Sequence, residues 1–456
     1  MEQEEQRKRW WIWIVAGIVV VLLVILVLLL TLGKDTSIAR KVGAVLPFGQ
    51  VLPETPVSDI IGDITPTGSE ETPVITGEEP VFRQLSKESV AGFTTVIRDG
   101  ITYVRYVLRE NGNIHEVDPS TGTDRQITNT TIPRVYEAFF GNNGNTIIMR
   151  YLKRVLNNDV IVTYLGNLEL PTNEESMGSI RSSTEFLPDN ISAVSISPDG
   201  TRLFYLLPVS DGVSGTLISL NATLFPKEVF RNSFSEWLPQ LFDDGTILLT
   251  TKPSAGIAGY SYLYDPIKKT LTRIVREKNG LTTFGDSVGS RILFGENVAN
   301  APFLGMYTKK SFSSHEGVEN HEALIPLATL PEKCAWGVLP STLYCGSFVG
   351  STGTKLPDEW YQGLISLSDT FWMVNTDTTE ITFIADPESV IQKHFDVIMP
   401  LIDKSGRHFI FVNKEDDSLW SMRLPKPTGD LGSMNVSETL PPLTPEEQKD
   451  AAGSIR

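Results

Sequence analysis

The residues best suited to chemistry in this chain are few, and their spacing is poor for it. His315 and His321 stand in the run HEGVENHE with Glu316, Glu319 and Glu322. That set offers imidazole and carboxylate ligands. It is not H-E-x-x-H, however, and no cysteine or third histidine is near. A solvated polar loop is the better description. Gly350 to Lys355, GSTGTK, has glycines and a lysine but fails the G-x-x-x-x-G-K-[ST] spacing that cradles phosphate. No G-x-S-x-G occurs, so the strained turn that presents a hydrolase serine is missing. The run Glu415, Asp416, Asp417 has the oxygens to chelate Ca²⁺, yet such runs are more often solvated loops. No catalytic residue, metal or cofactor is assigned. Carboxylate pairs suited to glycan cleavage are defined by a distance in space, which a linear chain does not display.

Charge and hydropathy say more. The chain has 456 residues and a formal net charge of -16. Such a chain repels nucleic acid, and no Lys/Arg run occurs beyond Arg7-Lys8-Arg9. Trp10 to Leu32, WWIWIVAGIVVVLLVILVLLLTL, carries no charge. At 1.5 Å per residue it makes a helix of roughly 35 Å, long enough to cross a bilayer, with three tryptophans at one headgroup level. It is too long for a cleaved signal peptide, and Leu30-Thr31-Leu32-Gly33 is a poor cleavage site. The tight basic cluster before it places residues 1–9 in the cytoplasm and the rest outside. Residues 33–80 are rich in Pro, Thr and Glu and read as a flexible stalk, and residues 426–456 read as a disordered tail.

The chain between them is built from one repeated hairpin. ISPDGTRLFYL turns at Gly200, and similar hairpins turn at Gly100, Gly144, Gly245, Gly289, near Ser341 and at Gly406. The steps are 44, 56, 45, 44, 52 and 65 residues. Each is a strand, a tight Asp/Asn/Gly turn and a strand of β-branched and aromatic residues. Third and fourth strands follow, as in YSYLYDPIKKTLTRIV. A period near 45 with four strands marks a β-propeller, and seven hairpins mean seven blades. The last unit lacks a fourth strand. Phe82 to Ser86, before the first unit, is expected to supply it and close the ring. Cys334 and Cys345 flank the sixth hairpin, and with Leu339-Pro340 at its centre they fall opposite each other. A disulfide is expected, which suits an oxidising compartment.

These repeats resemble the WD-like propeller repeats of the TolB-like kind, in which SPDG followed by an apolar strand recurs. The match is closest at Ser197-Pro198-Asp199-Gly200 and weaker at Asp243-Asp244-Gly245 and Asp403-Lys404-Ser405-Gly406. It covers residues 81–425, while the Trp-Asp and Gly-His signatures of eukaryotic WD repeats are absent. The resemblance implies a propeller fold and a role as an exported interaction scaffold, and it carries no catalytic residues.

In a propeller, the loops joining strands two and three share a face with the loops joining successive blades. Three aromatic segments sort to that face. The first, between blades three and four, holds Glu236 and Trp237. The second, inside blade four, ends at Tyr260. The third, an insertion in blade six, holds Asp358, Glu359, Trp360 and Tyr361. Exposed aromatics beside carboxylates suit a protein surface or a sugar ring. The competing reading is that they fill gaps between blades. The expectation is therefore an all-β seven-bladed propeller behind a single transmembrane helix, acting as an extracytoplasmic scaffold for an envelope protein or surface polymer. The alternative is a glycan hydrolase or lyase at the channel mouth.

Overall fold

A computed structural model of the chain describes residues 79–170, 177–182, 187–221, 225–298, 301–309, 320–348 and 355–425. The segment Trp10 to Leu32, nearly all of the expected stalk, the C-terminal tail, Gly350–Thr354 and most of HEGVENHE lie outside these residues. Among the described residues no helix is long and apolar enough to cross a membrane.

Seven four-stranded antiparallel sheets follow one another along the chain. Their first strands are Val90–Arg98, Val135–Gly141, Ala193–Ile196, Trp237–Leu241, Thr282–Gly285, Cys334–Trp336 and Val397–Ile402. In six sheets the spatial order is the chain order. The seventh takes its outer strand from Phe82–Ser86, which pairs with Ser418–Arg423 in the register Phe82↔Met422 and Ser86↔Leu419. Residues 82–423 form a seven-bladed β-propeller, and its first and last described strands meet in one sheet. That arrangement hides the edge which an incomplete last blade would expose.

The turns behave as their chemistry requires. Gly200, Gly245, Gly289 and Gly406 all have φ between 66° and 86°, which a β-carbon would oppose. Each donates its N–H back three residues, for example Gly200 to Ser197 O at 2.7 Å. These turns also hold one another. Asn142 N–H donates to Gly200 O at 2.8 Å, and Asp199 N–H donates to Asp243 Oδ1 at 2.8 Å. Asp243 N–H in turn donates to Ser287 O at 2.9 Å. The SPDG-type turn is therefore a joint between blades as well as a hairpin.

The second strand of each blade lies between two strands of its own sheet and beneath both neighbouring blades. Most of its residues are apolar for that reason. In His408–Asn413, HFIFVN, all positions are buried. Clusters between blades form the core. Phe204, Leu206 and Phe230 of blade three meet Trp237, Leu249 and Tyr264 of blade four. Phe371 of blade six meets Phe409, Phe411 and Trp420 of blade seven. Each such ring contributes about 1.5–3 kcal/mol.

Cys334 and Cys345 face each other and form the disulfide, with their Cα atoms 4.0 Å apart. Gly337 N–H donates to Thr342 O at 2.8 Å. Counting back along the alternating ladder makes Cys334 and Cys345 a pair without mutual backbone hydrogen bonds, the kind in which opposed residues lie closest.

Candidate binding face

The blade-six insertion is a strap. Leu356, Trp360 and Leu367 form its buried underside, packed with Leu330 and Phe348. Its upper part holds the one-turn helix Asp358–Tyr361. Leu356 O accepts from Asn297 Nδ2 of blade five at 3.0 Å. Farther on, Asp358 Oδ2 accepts the N–H of Ala255 at 2.6 Å, in the loop of blade four. The strap thus reaches past blade five to blade four. It passes close to Gly280, where φ is +63° and a β-carbon would lie 2.8 Å from Leu356 O. Glycine is required there for both reasons.

The strap is anchored from below by buried charge. Trp360 Nε1–H donates to both Asp396 oxygens at 2.9 Å. Leu367 N–H donates to Asp396 Oδ2 at 3.0 Å. Lys333 Nζ donates to Asp396 Oδ1 and Asp369 Oδ2, each at 2.6 Å, and all three side chains are fully enclosed. Burial holds the Asp369 carboxyl above the usual carboxylate range despite the Lys333 ammonium. Lys333 also lies 5.0 Å from the centre of the Trp360 ring. Burying ions is costly, so this group supports precise placement of the strap more than it supports stability.

The two tryptophans put forward from the sequence are packing residues. Trp360 is 2% exposed and Trp237 7%. Trp237 Nε1–H donates to Phe234 O at 2.8 Å, and its ring meets Phe230, Phe234 and Tyr262 edge-on. Both fill gaps because a large ring gains more from full burial between elements than from half-exposure on a loop. Tyr260 is half-buried, and its N–H donates to Thr251 Oγ1 at 3.0 Å. Glu236 is exposed and pairs with Lys252 at 3.2 Å. Glu359 Oε2 accepts the Lys355 N–H at 3.3 Å.

Tyr361 and Asp358 do reach a shared site. With Leu238, Lys252, Pro253, Glu332 and Gln362 they line a pocket of about 560 Å³ beside the strap. The Tyr361 hydroxyl donates to Glu332 Oε1. Burial pushes the Glu332 carboxyl up to about 7, against the opposing pull of Tyr361 and Lys333. Burial and the Glu332 charge push the Tyr361 hydroxyl up as well. Glu332 was not singled out from sequence, although it sits in the blade-five to blade-six connection, a loop class that belongs to this face. A larger groove of about 880 Å³ lies between the turns of blades six and seven. Val338, Leu339 and Arg407 line it together with Glu79 and Pro425.

No protein-family model matches this chain, and no curated protein matches it either. Solved structures do share its architecture. TolB from Acinetobacter baumannii is similar at 10% identity, over 60% of this chain and 59% of that one, with a TM-score of 0.37. The chain thus spans less than two thirds of TolB. The β-propeller domain of Cps50 (Swd1) from Myceliophteria thermophila is 8% identical over 75% of this chain and 98% of that one, with a TM-score of 0.46. Oligogalacturonate lyase from Vibrio parahaemolyticus is 10% identical over 76% of this chain and 94% of that one, with a TM-score of 0.47. These neighbours include a lyase, and at such identities the likeness is one of fold.

Proposed function

We propose that this chain is a membrane-anchored binding scaffold whose propeller stands outside the cytoplasm and receives a protein partner on the strapped face. The observation that carries the reading is the exposed apolar surface there. Ile257 is 69% exposed and Leu364 68%, and Phe234, Leu238 and Tyr361 are exposed as well. Large apolar side chains gathered on one face mark interaction sites. The uncharged run Trp10 to Leu32 supports the anchor, and the Cys334–Cys345 disulfide supports an oxidising compartment.

The test places a photo-crosslinking residue at Ile257 or at Leu364 in the full chain in its native membrane. A third variant carries it at Ile267, which is exposed in a turn between the third and fourth strands of blade four. One common protein trapped from the first two positions and not from the third is expected. A product from Ile267 alone, or none from any position, overturns the reading.

A second reading rests on Glu332. A carboxyl held near pH 7 suits a general acid, and Asp358 lines the same pocket. It requires release of shortened or unsaturated glycans by the purified protein, abolished by Glu332→Gln.

A further inference from the structure

Among the described residues, no cation forms an ion pair with the Glu332 carboxyl. The next residue, Lys333, points into the core and is taken by Asp369 and Asp396. The other cation at the pocket, Lys252, is paired with Glu236. Glu332 Oε1 accepts from Tyr361, while Oε2, enclosed by protein, has no hydrogen-bond partner among the described residues. A buried acceptor left unpaired costs about 1–3 kcal/mol, which a ligand donor recovers once rotation of the Glu332 side chain turns that oxygen to the pocket. The pocket wall carries a second carboxylate, Asp358, and one cation, Lys252, so its formal charge is negative. Leu238 and Pro253 give it apolar sides, and Tyr361 gives it an aromatic ring.

We propose that this pocket takes an arginine side chain of the protein partner. The inference rests on the scaffold reading and names the chemistry that anchors the partner to the same face. A guanidinium offers five donors in a planar fork and stacks on aromatic rings, so it can address Glu332, Asp358 and Tyr361 together. Its aliphatic stem matches Leu238 and Pro253. The net charge of -16 draws a basic partner toward the protein and repels an acidic one. A cation beside Glu332 favours the ionised carboxyl, so binding near neutral pH expels a proton.

The experiment uses the full chain in detergent and three probes: the N-acetyl methylamides of arginine, lysine and glutamate. Binding is read by calorimetry at pH 6 and pH 8. The arginine probe is expected to bind more tightly than the lysine probe, with no binding of the glutamate probe. With Glu332 titrating near 7, arginine affinity should be about tenfold weaker at pH 6 than at pH 8. Glu332→Gln should lower the affinity at pH 8 about tenfold and remove the pH dependence. Tyr361→Leu, at a partly exposed position, should lower it about threefold. Equal binding of arginine and glutamate, tighter binding of lysine, or full affinity in Glu332→Gln overturns the proposal. If Glu332→Gln still crosslinks the partner from Ile257 and Leu364 at wild-type yield, the arginine anchor falls and the scaffold stands. If the wild-type chain yields no crosslink, the scaffold reading falls on its own.

Discussion

His408 Nε2 lies 2.7 Å from Glu79 Oε1, so a buried histidine of blade seven holds the residue just ahead of the ring-closing strand. Asp403 faces its other nitrogen at 3.3 Å, and Arg407 lies 3.6 Å from the second Glu79 oxygen. Burial by itself lowers the pKa of His408, but hydrogen bonds to Asp403 and Glu79 outweigh it and hold the imidazolium above its ordinary range. A raised folded pKa contributes stability that is complete below the unfolded value, about 6.5, and is lost as pH rises through the folded value. Asp403 has the opposite sign. Burial raises it, and hydrogen bonds from His408 and Ser405 more than offset this, so its contribution disappears in acid. Urea unfolding of the full chain should therefore show stability falling as pH rises from 6 to 9. His408→Gln should be less stable at pH 6 by about 1–3 kcal/mol and show a shallower decline, confined below about pH 7 where Glu332 still titrates. A wild-type profile flat from 6 to 9 would refute the latch.

The closing strand carries a stronger prediction. A chain lacking residues 1–86 loses Phe82–Ser86 and exposes the Ser418–Arg423 edge. It should aggregate or unfold without cooperativity, whereas a chain lacking only residues 1–78 should remain monomeric by size-exclusion chromatography.

The tryptophans separate packing from recognition. Trp237→Ala should cost about 3–5 kcal/mol through the cavity it leaves between blades three and four. Tyr361→Ala should cost less, about 1–3 kcal/mol through the lost hydrogen bond to Glu332, and should weaken partner crosslinking. Equal effects of the two on the denaturant midpoint would contradict the burial difference between them.

Lys333 neutralises two enclosed carboxylates. Lys333→Met should destabilise the chain by about 3–5 kcal/mol, because Asp369 and Asp396 then face each other without a cation. Increased protease cleavage within 355–368 is the accompanying sign that the strap has come free.

Reduction of the Cys334–Cys345 bridge removes a cross-link over a short loop. Cys334→Ala with Cys345→Ala should cost about 2–4 kcal/mol in urea unfolding, with the fold retained. No loss on reduction would mean that the hairpin holds by its ladder alone.

The blade number, the seam and the disulfide were all legible in the linear chain, because each depends on local rules. A glycine that needs positive φ, a strand of β-branched residues and a repeat near 45 residues each leave a mark within a few positions. The missing fourth strand of the last unit pointed to Phe82–Ser86, and the symmetric spacing of Cys334 and Cys345 around Leu339-Pro340 placed them opposite. Of the residues sorted to one face by topology, Tyr361 and Asp358 line a common pocket. The sequence left two readings open for Trp237 and Trp360, exposed recognition or gap filling between blades. Trp237 and Trp360 have the composition of exposed recognition loops, and only neighbouring blades and Asp396 enclose them. The adjacent pair Glu332 and Lys333 lies far in sequence from Asp369 and Asp396, and no local pattern joins them. The strap bridges blades six and four through Asp358 and Ala255, a contact of two residues 103 positions apart. Strand period and turn chemistry act over a few residues and so are written in the chain. Desolvation and charge pairing act through space, and only the closed ring decides which residues they join.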